Sequence, residues 1–383
     1  MNKLFFIALG IGLVFFVAND AYVTILHSRG RNGPISHVLC RTIWRLARAS
    51  ASKLSRKQRH VRLNSIGPLL MPTLIGLYIT LLVFGFAFIY YPHMATDFLK
   101  LPEAATPRWT ESLYFSGVTL TTLGFGDIAP RTNVMRLAAV IEAGAGFGLI
   151  SLFITYLVAV YRALERRRTA ALAFYHQADG SADVVGFIAN HLVAGKLSGL
   201  APNLRSVARD LEEMLESHIE HPIIHYFHTV EVYKSLPRVL FLSLEICAVI
   251  RSSLDRDEYA NTNERPEMRT LELSASHVLQ ELVSLLKLKK NPAHSGESQL
   301  DESLRLEARF DHTLASLEEA GIKTNPDREA GLKIYKDCRS KWEKSLFKLA
   351  SHLGYDWDEL TGDSHLLSAA NQPANQLRVE VLK

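Results

Sequence analysis

Residues Thr121–Asp127 read "TTLGFGD", a polar, glycine-containing strip between two long apolar stretches, and its reading decides the fold. Before it, Pro68–Tyr91 carries no charge; after it, Val134–Tyr161 is charged only at Arg136 and Glu142. A hydrocarbon core of roughly 30 Å takes about 20 apolar helical residues to cross, so both stretches predict spanning helices. Tyr78, Tyr90, Tyr91, Tyr156 and Tyr161 fall where interfacial aromatics sit. The loop between them, Pro92 to Asn133, is too short for a domain of its own. Inside it "TESLYFSGVTLT" (Thr110–Thr121) offers a capping threonine, Glu111 in the first turn and an apolar body, which predicts a short helix. Such a helix cannot cross a bilayer and has to enter and turn back. Backbone without helical hydrogen bonds is tolerated at membrane depth only where protein buries it or it lines a watery path, so the strip is assigned to a path.

The residue types state what passes. A dehydrated cation needs rings of oxygens, and a backbone supplies them when successive carbonyls face one way, which requires left-handed residues that glycine adopts cheaply. Gly124 and Gly126 give that freedom, Thr122 adds a hydroxyl, Leu123 and Phe125 are expected to point away into packing, and the short helix aims its partially negative end at the ion. One strip per chain makes one wall, so a homotetramer is expected.

With these residues in view, residues 106–150 resemble the pore of potassium channels, whose filter is usually written T-V-G-Y-G-D. The match runs without a gap from Tyr114 through Thr121, Thr122, Leu123, Gly124, Phe125, Gly126 and Asp127 to Pro130 and Gly146. The resemblance implies potassium as the permeant ion, coordination by Thr122 to Gly126, and a gating hinge at Gly146, within a soft stretch that includes Gly144 and Gly148. Close helix packing is the other reading of these glycines. Phe125 stands where the family more often has tyrosine, Leu123 where it has valine, and Val118 where some relatives carry a glutamate paired with the aspartate matching Asp127. These departures bear on filter stability more than on selectivity. Glu142 has two candidate roles, a hydrogen bond behind the filter or a pair with Arg136.

The first apolar stretch, Leu4–His27, is interrupted by Asn19-Asp20. A removed signal segment is one reading; the loop behind it favours a spanning helix with its N-terminus outside. From Arg29 to Arg62 that loop holds ten Lys or Arg and no acidic residue, which places it in the cytoplasm. Asp20 then lies in the membrane or near its inner face, as a functional carboxylate, a cap or a helix contact. Arg56, Arg59 and Arg62 have no hydrophobic carrier and are not read as a voltage sensor. Leu39, Ile43 and Leu46 share a helical face opposite Arg41, Arg45 and Arg48, which fits a helix on the inner leaflet with its arginines toward lipid headgroups, or a solvated basic linker.

After Tyr161, "RALERRRTA" keeps the C-terminus cytoplasmic. Helical patterns run over 204–220, 223–253, 267–288, 301–320 and 326–353, separated by polar breaks at 256–267 and 289–299. A helical bundle is expected. His218, His221, His225 and His228 recur at helical spacing and could bind a metal or sense protons, although Pro222 interrupts them and surface polarity explains them as well. "GAGFG" (144–148) lies in a membrane span and "AGKLSG" (194–199) lacks phosphate-loop spacing, so neither is a nucleotide site. No catalytic constellation stands out in residues 165–383, and no cofactor is implied. Cys40, Cys247 and Cys338 show no disulfide or zinc spacing. The net charge of +4 gives no case for nucleic acid.

The sequence thus predicts an all-α membrane protein: a membrane helix at 1–28, a basic linker at 29–66, a potassium-channel-like tetrameric pore at 67–162, a helical cytoplasmic domain at 163–361 and a loose tail at 362–383. It is expected in the cell (inner) membrane, with potassium ions, lipids and its own copies as partners. A nonselective cation pore and a membrane-anchored signalling protein or enzyme stand as alternatives.

Overall fold

The computed structural model of the protein describes residues 3–27, 33–100, 107–178, 180, 183–197, 199–263, 265–288 and 299–362. Contacts gather the chain into two units, Met1–Ala163 with Ser217–Phe227, and Leu164–Glu216 with His228–Lys383.

The first unit opens with α1 (Lys3–Ala21), which passes into a π-helical turn at Tyr22–Leu26. It continues with α2 (Pro34–Ala51), α3 (Arg56–Asn64) and α4 (Ile66–Tyr90). Then come β1 (Phe98–Lys100), α5 (Arg108–Leu120), β2 (Ile128–Pro130) and α6 (Asn133–Gln177), whose last residues belong to the second unit. Among the described residues, three helical stretches, Lys3–Leu26, Arg56–Tyr90 and Asn133–Gln177, are long and apolar enough to cross a membrane. The helix expected to stop near Tyr161 runs on to Gln177, because "RALERRRTA" contains no breaker and is made of good helix formers. At 45 residues it spans about 68 Å, over twice the hydrocarbon thickness.

α1 packs along α4 at close range: a Cβ on Gly10 would lie 2.4 Å from the Gly85 carbonyl oxygen. The two helices share a core of Val17, Leu74, Tyr78 and Leu82, which Leu120 and Leu149 join. α2 departs from expectation. Its buried face is Ser36, Cys40, Trp44, Ala47 and Ala51, turned into the protein, while Leu39 and Ile43 are half-buried and Leu46 is exposed. The best-packed stripe of α2 therefore lies on protein. Arg41 and Arg45 remain exposed and Arg48 is half-buried.

Ser217–Phe227 packs within this unit as well. Tyr226 meets Trp44 edge to face at 5.9 Å, His221 meets Tyr156 at 5.5 Å, and the Phe227 ring presses against Gly67.

The second unit contains α7 (Val184–Ala189), most of α8 (Leu200–Glu220), α9 (Leu236–Ser253), α10 (Ala260–Asn263) and α11 (Pro266–Leu285). It ends with α12 (Gln299–Glu319), α13 (Arg328–Ser340), α14 (Glu343–Leu353) and α15 (Trp357–Thr361). Every residue of α9 except Arg251 is buried, so the other helices wrap it. Its Glu245 accepts from Arg309 at 2.9 Å, Arg339 at 3.0 Å and the Tyr335 hydroxyl. Glu343 pairs with Arg305 at 2.9 Å and Arg339 at 3.1 Å. Charges this deep persist because each is paired or hydrogen-bonded.

Two expected helices are each divided. The segment 223–253 becomes 3-10 turns at Pro222–Tyr226 and Val232–Lys234 followed by α9, which starts where Ser235 accepts from the Arg238 N–H ahead of Pro237. The segment 326–353 breaks at Lys341-Trp342 into α13 and α14. The break at 256–267 contains α10; residues 289–298 and 363–383 lie outside the described residues. Cys40, Cys247 and Cys338 are buried and unbridged.

Candidate ion pathway

The strip is launched by the end of α5. At 13 residues, α5 is about 20 Å long and falls short of a bilayer. It begins one turn earlier than expected, after Pro107, so that Thr110 is inside the helix and does not cap it. At its other end the N–H of Thr122 bonds the Thr119 carbonyl at 3.0 Å and that of Leu123 the Val118 carbonyl at 2.9 Å. With Thr122 at φ 59, these paired bonds form the left-handed helix stop usually built with glycine. A β-branched residue there is strained by roughly 1–3 kcal/mol, and such strain persists only where the surroundings impose it.

The handedness then alternates. Thr122, Gly124 and Gly126 have φ of 59, 58 and 82, whereas Leu123 and Phe125 between them do not. Alternating left- and right-handed residues turn successive carbonyls toward one side of the chain, the arrangement a dehydrated cation requires. Thr121 to Gly126 are exposed on the single chain. Leu123 and Phe125, expected in packing, are 62% and 66% exposed, so the described residues of their own chain leave most of each side chain uncovered.

The outer end is held through the backbone, and Tyr114, on α5, interacts with Asp127. Beyond Asp127, β2 pairs antiparallel with β1 (Phe98 with Pro130, Lys100 with Ile128), and the Arg131 N–H bonds the Asp97 carbonyl at 2.7 Å. Lys100 reaches Glu111 at the start of α5. The ribbon was not legible as strand because three residues a side carry no alternation pattern.

Behind the strip, Glu142 of α6 accepts from the Tyr90 hydroxyl at 2.8 Å and the Ser116 hydroxyl at 2.5 Å. Arg136, the rival partner, bonds the Pro130 carbonyl at 3.2 Å. The three glycines of α6 differ. A Cβ on Gly146 would lie 2.0 Å from the Leu120 carbonyl oxygen, whereas Gly144 and Gly148 face open space, and the helix is unbroken through all three.

The histidines do not converge. His218 and His225 bring their rings to 5.0 Å, His221 sits against Tyr156, and His228 stacks on Tyr355 in the second unit. Among the described residues no three His, Cys, Asp or Glu side chains gather as a metal site. α8 ends at Glu220 and Pro222 starts a 3-10 turn, which destroys the helical spacing. The hydrogen-bonding roles of Tyr90 and Ser116 were not read from the sequence. The available signal was pairwise: Ser116 and Glu142 are polar residues in apolar segments, each in need of a partner.

These features define a class: an integral, all-helical membrane protein with a re-entrant helix and an extended strip between two spanning helices. Residues 77–163 match the family described as Ion channel. The chain is also similar to the uncharacterized membrane protein YdjJ of Bacillus subtilis (strain 168), at 28% identity over 239 residues, covering 61% of this chain and 66% of that protein, just under two thirds. No solved structure matches the chain.

Proposed function

We propose that the protein is a potassium-selective channel that conducts passively through a pore shared by four copies, with Thr121–Asp127 as the selectivity filter. The observation that carries this reading is the alternation of left-handed φ at Thr122, Gly124 and Gly126 at the end of a helix too short to cross. Carbonyls aimed one way replace a potassium hydration shell, and the α5 C-terminus adds its partial negative charge. Gly146 is a point of contact, with any hinge motion arising around it at Gly144 and Gly148. The second unit is a cytoplasmic domain that assembles or gates the pore, in the cell membrane. Arg41 and Arg45, beside exposed Val38 and Leu46, contact anionic headgroups on the inner leaflet.

Cross-linking in detergent and potassium efflux from proteoliposomes test this reading. A ladder ending at four copies and efflux that sodium cannot replace are expected. Another stoichiometry, or equal sodium and potassium flux, contradicts it.

A further inference from the structure

We propose that Glu142 is a positioning residue of the ion pathway, one that fixes α6 to the back of α5 so that movement of α6 reaches the strip. This rests on reading Thr121–Asp127 as a potassium filter. Three helices meet at one carboxylate. Tyr90 comes from the end of α4, Ser116 from α5 and Glu142 from α6, and none of the three has measurable exposure. The Ser116 oxygen also lies 3.0 Å from the Val83 carbonyl of α4. Its single proton goes to the closer carboxylate oxygen, at 2.5 Å.

A second contact stands one helical turn away on both partners. Ser116 and Leu120 are four residues apart on α5, as are Glu142 and Gly146 on α6, and the Leu120 carbonyl rests on Gly146. Two contacts a turn apart fix rotation as well as distance, so α6 cannot rotate or slide without moving the last turn of α5. That turn bonds the first residues of the strip, through Thr119 to Thr122 and Val118 to Leu123. The lever from α6 to the strip is therefore hydrogen-bonded or in direct contact at every joint.

Glu142 makes no contact with an ion in this account; it acts through Ser116. A carboxylate in an apolar span is costly, and here its two oxygens are each assigned a hydroxyl donor. An apolar residue at 142 would leave the Tyr90 hydroxyl without its acceptor and return the Ser116 proton to the Val83 carbonyl, breaking the tie between α5 and α6.

The test is potassium current of the full chain in planar bilayers during sustained opening, for wild type, Ser116→Ala, Glu142→Gln and Glu142→Leu. Current decay is expected to be about tenfold faster in Ser116→Ala and Glu142→Leu, with Glu142→Gln between them and wild type because one acceptor oxygen remains. Raising external potassium should slow that decay, since occupied sites resist collapse; a merely structural defect would not respond. The double variant should decay no faster than Glu142→Leu alone. Wild-type decay in the variants, or faster decay indifferent to external potassium, overturns the proposal. Should Glu142→Leu fail to assemble, Ser116→Ala decides the same question. Loss of potassium selectivity in the wild type itself would instead remove the filter reading.

Discussion

The Tyr78 hydroxyl on α4 donates to the Asp20 carboxylate on α1 at 2.6 Å, deep inside the first unit. The same carboxylate accepts from the Ile35 N–H at 2.7 Å and the Ser36 N–H at 3.3 Å, at the start of α2. One side chain therefore joins two membrane helices and caps a third helix, where exposed backbone donors and the helix dipole favour an anion. Thr24, in the π-helical turn, supports it by accepting from the Gly33 N–H at 3.0 Å. Of the roles open to Asp20 in the sequence, the structure shows the cap and the helix contact.

Replacing Asp20 by alanine leaves two backbone donors and a phenol without their acceptor, and is expected to cost about 2–3 kcal/mol of stability. Tyr78→Phe should cost about 1 kcal/mol, and the double variant no more than Asp20→Ala alone. Thermal unfolding in detergent measures all three; additive losses would mean that the two residues act separately.

Gly146→Ala sets a methyl group against the Leu120 carbonyl, and backbone on both sides has to give way, at a cost of about 1–3 kcal/mol. Gly144→Ala and Gly148→Ala meet open space and should hold or raise stability, by up to about 1 kcal/mol, since alanine is the better helix former. The same unfolding assay separates contact from hinge. Equal losses at all three positions would contradict a packing role peculiar to Gly146.

Burial lowers the pKa of His221 below the ordinary histidine value, with Glu220 opposing the shift. The unfolded chain therefore takes up this proton first as pH falls. The contribution of His221 to stability is full above about pH 6.5 and is lost as pH drops through 6.5 toward the lower folded value. His221→Asn should flatten the fall in melting temperature between pH 7.5 and 5.5. An unchanged slope would place the pH dependence elsewhere.

Much of this was legible in the sequence because membranes leave few options. The spanning stretches, the re-entrant helix and the strip each follow from length, apolarity and two glycines. What escaped the sequence depends on partners far along the chain. Glu142 had two candidate roles, and only folding puts Ser116 and Tyr90 beside it. Arg41, Arg45 and Arg48 marked one face of α2, but the apolar face opposite was off by a residue, since Trp44 and Cys40 pack inward against elements the pattern does not reveal. Helices 223–253 and 326–353 hid their breaks because their apolar repeats continue across Ser235-Leu236-Pro237 and Lys341-Trp342 almost in phase. Thr122 is the instructive position: its residue type argues against a left-handed conformation, and the structure imposes one between α5 and Gly124.

The most direct measurement is the reversal potential of the purified protein in planar bilayers, with potassium on one side and sodium on the other, beside a Gly124→Ala control. A value near the potassium equilibrium potential is expected in the wild type, lost in the control because a side chain at φ 58 disturbs the carbonyl alternation. A wild-type reversal potential near zero would contradict the filter reading.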